Sequence, residues 1–130
     1  MLLRDQQKII EGLQNSAPVK VVAIAHALGL KVYETPSMDK NISGMIKKDA
    51  KIGGDSGYAI YVNAGHAEVR RRFTIAHEIG HYVLHKSLIG DGIIEDALLR
   101  ADGLSNSVER QANSFSADLL MPWIKDHYQR

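Results

Sequence analysis

With 130 residues, 45% of them hydrophobic, the chain has room for one domain with a real core, expected to span residues 1–130. Lys and Arg number 16 against 15 Asp and Glu, and this net charge of +1 argues against a surface built to bind nucleic acid. The absence of cysteine excludes disulfides and thiolate metal sites, and no apolar run approaches the ~18 residues that span a bilayer.

Leu2, Leu3, Gln6, Ile9, Ile10 and Leu13 recur at helical spacing, so residues 2–14 read as an amphipathic helix. The charged, interrupted opening does not suit a signal peptide, and a cytoplasmic location is expected. Ser16-Ala17-Pro18 breaks the first helix. Pro18 suits the first turn of a second helix, with Gly29 just past its end and Val19, Val22, Ala23, Ala27 and Leu28 as its apolar stripe. Leu30 to Glu34 is β-prone, and Thr35-Pro36-Ser37 turns the chain. Ile42 to Lys48 reads as a strand weakened by Gly44. After the turn signal Gly53 to Gly57, Tyr58 to Asn63 is the best strand, and these two strands are expected to form a hairpin. A long helix follows from Ala67 to His85, with Phe73, Ala76, Ile79, Gly80, Val83 and Leu84 on its apolar face. Ile93 to Arg100 reads as irregular or extended. A last helix, capped by Ser105 or Ser107, runs to about Leu120, with Val108, Ala112, Phe115 and Leu119 facing inward and Pro122 ending it.

The chemistry is concentrated in His77-Glu78-Ile79-Gly80-His81. Residues four apart on a helix share a face one turn apart, so both imidazoles can reach one zinc ion at about 2.0–2.1 Å. Glu78 projects to the side of that pair, where it can act as general base towards an attacking water. The pattern alone is a weak sign, but its mid-helix, apolar setting with a small Gly80 between the histidines strengthens it. His85 continues the stripe, yet it lies about 12 Å of helical rise from His77, too far to share one ion with it. It reads instead as a helix-end residue favoured by the helix dipole.

Catalytic zinc usually takes three protein ligands. Candidates for the third are Asp91, Glu95, Asp96, Asp102, Glu109 and Asp118. Glu109 is the best placed, in the first turn of a helix whose apolar side can pack on the His-Glu-x-x-His helix. The competing explanation is an acid placed favourably at a helix N-terminus.

Two blocks resemble the ImmA/IrrE family of metallopeptidases: Arg71-Arg72-Phe73-Thr74-Ile75-Ala76-His77-Glu78-Ile79-Gly80-His81-Tyr82-Val83-Leu84-His85, and Glu109-Arg110-Gln111-Ala112-Asn113-Ser114-Phe115-Ser116-Ala117-Asp118-Leu119-Leu120-Met121-Pro122. Val19 to Leu30 is similar to the family's early helix. The resemblance implies an α+β, zincin-like domain, in which a small, curved three-stranded sheet packs on a central metal-binding helix with surrounding helices. It implies that His77, His81 and Glu109 bind Zn2+ and that Glu78 is the catalytic residue. It also implies a partner, an Xre-type helix-turn-helix repressor cleaved in phage, mobile-element or toxin–antitoxin regulation. Ser116 and Asp118 replace the family's commoner Ala and Glu. Larger members carry further domains, and this chain resembles a minimal peptidase core.

An extended substrate suits an exposed strand edge, and the Tyr58 to Asn63 strand is the candidate. Tyr58, Tyr61, Tyr82, His66 and His127 are candidates for stabilising an oxyanion, and the sequence does not choose among them. Arg70-Arg71-Arg72 reads as a partly buried helix start rather than a nucleic-acid patch. The competing functions are a zinc-stabilised protein that inactivates a repressor by contact alone, which would not require Glu78, and a DNA-binding regulator using residues 19–29, which the scarcity of basic residues there weakens.

Overall fold

The computed structural model describes residues 3–15, 17–90, 93–96 and 106–121. The elements run α1 (Arg4–Gly12), α2 (Val21–Ala27), β1 (Lys31–Thr35), β2 (Ile42–Lys48), β3 (Tyr58–Asn63), α3 (Glu68–His85), a 3-10 turn (Lys86–Leu88), β4 (Ile93–Asp96) and α4 (Asn106–Leu120). This is an α+β domain. Its three expected strands form one sheet, and the short β4 extends it in the order β1-β3-β2-β4. The Ile93 to Arg100 stretch is thus extended where it is described.

β2 and β3 pair antiparallel, as a hairpin should, with Ile46 opposite Ile60. β1 runs parallel to β3, with Val32 opposite Ile60. β3 is therefore a central strand, which corrects the expectation that it offers an edge to substrate. The physical reason lies in its composition. Tyr58, Ala59, Ile60, Val62 and Asn63 are all buried, and a strand apolar on both faces belongs inside a sheet.

β2 approaches α3 closely at Gly44. A Cβ there would lie 2.5 Å from the Tyr61 carbonyl oxygen and 2.8 Å from the Thr74 Cγ2. The glycine that weakens the strand's propensity is thus what lets helix and sheet meet. α3 lies between the sheet and α4. The core joins Ile24, Leu30, Ile46, Ile60, Val62, Ile75, Ile79 and Leu119, each burial contributing about 1.5–3 kcal/mol.

α2 starts at Val21 with Lys20 as N-cap, so Pro18 precedes the helix instead of opening it. That shifts the buried face to Val21, Ile24 and Ala25, while Val22 is exposed. Gly29, at φ +87°, closes the helix: its N–H donates to the His26 carbonyl and the Leu30 N–H donates to the Ala25 carbonyl, the pattern of a Schellman cap.

The three arginines at the start of α3 tie it to three separate segments. Arg70 donates to the Ser43 hydroxyl, Arg71 to the His66 carbonyl, and Arg72 to the Val19 carbonyl. Their guanidinium groups serve packing, as expected of a helix start. Beyond the end of α1, the Gln14 side-chain amide donates to the Leu119 carbonyl at 3.0 Å, satisfying a carbonyl that the end of α4 leaves open.

Candidate metal centre

A surface helix shows one apolar stripe, but α3 is buried all round over its second half. Every residue from Thr74 to Val83 is buried, and so is His85. Two imidazoles and a carboxylate, His77, His81 and Glu78, are thereby carried into the interior, where polar groups are costly without partners. Glu78 is 0% exposed and His81 is 0% exposed.

The partner is Glu109, in the first turn of α4. Its Oε1 stands 3.1 Å from His77 Nε2 and 3.7 Å from His81 Nε2. The ligand atoms of His77, His81 and Glu109 all lie within 4.8 Å of one another. Tetrahedral coordination at about 2.0–2.1 Å separates neighbouring ligand atoms by about 3.4 Å, which the two measured distances bracket. The donor set, two imidazole nitrogens and a carboxylate oxygen, also suits that metal chemistry. These residues therefore fit a divalent cation.

α4 is held at this distance by a knob set against a gap. A Cβ on Gly80 would lie 3.1 Å from Phe115 Cδ1 and 3.3 Å from its Cγ. The missing side chain at Gly80 thus admits the Phe115 ring against α3 and brings Glu109 towards the histidines. Ser116, fully buried, returns its hydroxyl to the Ala112 carbonyl, so a polar residue is accommodated in the same interface.

His85 ends α3, as expected of a helix-end residue, but it is also buried and partnered. Its Nδ1 lies 3.0 Å from His81 Nδ1, and its Nε2 lies 2.7 Å from the Gln111 Oε1. Burial pulls its pKa below the usual histidine value, and the hydrogen bond to Gln111 opposes this. Sequence reading missed Gln111. The available signal was the histidine stripe 77-81-85, whose last member had to find a partner once buried.

Phe73 departs from expectation. It is 40% exposed, not core, and its ring stands 6.0 Å from that of His77. Of the other third-ligand candidates, Asp118 is exposed on α4, and Glu95 and Asp96 fall on β4. Asp91, Asp102 and the oxyanion candidate His127 lie outside the described residues. The remaining oxyanion candidates are engaged elsewhere. Tyr58 and Tyr82 meet edge to face beneath Lys86, Tyr61 stacks on Tyr33, and His66 bonds the Lys40 carbonyl.

A small α+β domain that brings two helix histidines one turn apart onto a glutamate from a second helix belongs to the zincin-like class. The peptidase M78 family, described as an IrrE N-terminal-like domain, matches residues 25–125. The radiation response metalloprotease IrrE of Deinococcus radiodurans is 31% identical over 114 residues, covering 82% of this chain and 34% of that protein. The chain belongs to the ImmA/IrrE family of metallopeptidases, and it spans about a third of the length of the curated relative it matches. Such a family implies a protein substrate and a metal ion. No helix among the described residues is long and apolar enough to cross a membrane.

Proposed function

We propose that this chain is a zinc-dependent endopeptidase acting on an Xre-type helix-turn-helix repressor, with the peptidase machinery contained in one domain. The observation that carries the reading is the convergence of His77 Nε2 and His81 Nε2 on Glu109 Oε1 beside a fully buried Glu78.

In this reading His77, His81 and Glu109 hold the ion. When bound, zinc supplies Lewis acidity and eases the deprotonation of water near neutral pH. Glu78, one residue along the helix from His77, takes the proton of the attacking water and passes it to the leaving amine. Burial of the carboxylate keeps competing water away and strengthens its electrostatic influence on the reacting groups. Of the two sheet edges, β4 adjoins β2, which rests on α3 through Gly44 and Thr74. An extended substrate backbone therefore runs along β4 rather than β3. The repressor as substrate follows from the family resemblance. The setting follows from it too: phage, mobile-element or toxin–antitoxin regulation inside the cytoplasm.

The test mixes the zinc-loaded protein with the Xre-type repressor encoded beside it and compares wild type with Glu78→Gln. Cleavage by wild type, reduced at least a hundredfold in Glu78→Gln with zinc retained, is the expected result. An intact repressor released from its operator equally by both proteins overturns it in favour of inactivation by contact.

A further inference from the structure

We infer that Phe73 is a specificity-determining residue: its open ring face docks a large apolar side chain of the substrate, carried within about two residues of the scissile bond. The inference rests on the proposed peptidase reading and adds to it the class of sequence that is cut.

The helix fixes which way Phe73 faces. Thr74 of α3 lies against Gly44 of β2, and Gly80 lies against Phe115 of α4. At about 100° per residue these two stand about 60° to either side of His77, which therefore faces the gap between the sheet and α4. Phe73 lies about 40° from His77, on the Gly80 side and one turn nearer the helix start, so it faces the same gap. The gap is closed at His77, 5% exposed beside Glu109, and open at Phe73, 40% exposed. Val69, 81% exposed, lies one turn further out and extends the apolar surface away from the candidate metal centre.

A single exposed phenylalanine is ordinary on a protein surface. This one is set apart by its neighbour: its ring stands 6.0 Å from that of His77, tilted by 36°. An extended chain advances about 3.3–3.6 Å per residue. A side chain resting on Phe73 therefore belongs to a residue next to, or one removed from, the bond held at His77. A leucine or phenylalanine there removes apolar surface from water on both partners, whereas a serine or asparagine gains nothing against the ring and must shed its own water. The open face thus favours large apolar side chains at one position of the substrate, and it acts on which bond is presented without touching the reacting atoms.

Two measurements test the docking. In the first, the zinc-loaded protein digests a synthetic peptide library, and mass spectrometry reads the new termini. Wild type is expected to favour large apolar residues over serine and asparagine by at least about tenfold at one position within two residues of the cut. Phe73→Lys, whose stem can lie along the same surface, is expected to lose that preference while Phe73→Leu keeps it. An unchanged preference in Phe73→Lys, or an equal loss of cleavage for every peptide, overturns the inference. In the second, NMR follows the Phe73 ring in the metal-free full chain. Its signals are expected to shift with acetyl-Gly-Leu-Gly amide and not with acetyl-Gly-Ser-Gly amide. Equal shifts with both, or none with either, overturn the docking, and signals that move with protein concentration alone overturn it in favour of a second copy of the chain. A wild-type protein that cuts no peptide sinks the peptidase reading instead, while the titration still judges the docking.

Discussion

Gly80 and Phe115 set the spacing between two helices with one absent side chain and one ring. A methyl group at Gly80 meets Phe115 Cδ1 at 3.1 Å, so the ring must give way by a few tenths of an ångström. Gly80→Ala is expected to destabilise the fold by about 1–3 kcal/mol in denaturant titration and to weaken zinc binding, because α4 carries both Phe115 and Glu109. Wild-type affinity in Gly80→Ala would show that the helix spacing does not set the site. At this scale much of the candidate site is legible: the spacing of His77 and His81 marks two members of the group the fold brings together, while the third, Glu109, is only the best placed of six acids until the family resemblance selects it. Gln111 was not legible, because a glutamine on a helix carries no periodic signal, and its meaning arises only when His85 is buried opposite it. Phe73 misled for a related reason. Helical phase put it with the core residues, but the sheet and α4 leave that part of α3 partly open, and it remains 40% exposed.

Among the elements, β2 depends most on a single position. Gly44 lies against the Tyr61 carbonyl and Thr74, and neither contact has slack. Gly44→Ala is expected to cost more than Gly80→Ala, upwards of about 2 kcal/mol, because backbone rather than a ring must move. Hydrogen exchange checks the location: the amides of β2 and β3 lose protection first, while those of α2 change least. Equal loss across the molecule would argue against a local clash. Sequence reading placed the strands and the hairpin through their alternation and turn residues. It did not place β3 inside the sheet, because the parallel pairing of β1 with β3 joins segments that no local pattern links. Nor does the sequence show the phase of α2, because Pro18 suits a first helical turn although Lys20 is the N-cap.

For the whole molecule, the proposed metal makes stability depend on a ligand that only the folded chain can gather. At a free zinc concentration 100 times the dissociation constant, stabilisation is about 2.7 kcal/mol. Thermal unfolding of wild type is therefore expected to shift upward with zinc and back with a chelator, at about one zinc per chain, while His77→Ala shows neither the shift nor the full zinc content. A His77→Ala protein with full zinc would remove His77 from the ligand set. Glu109 follows His77 by 32 residues, and the elements between them include β4. During synthesis at about 5–20 residues per second, the histidine pair is thus exposed for seconds before the third ligand leaves the ribosome. A nascent chain interrupted before α4 has the histidines and Glu78 but no Glu109, and it lacks the helix that covers them. On the proposed function, premature termination in this interval yields an inactive fragment, which would confine hydrolysis to chains whose translation has passed α4.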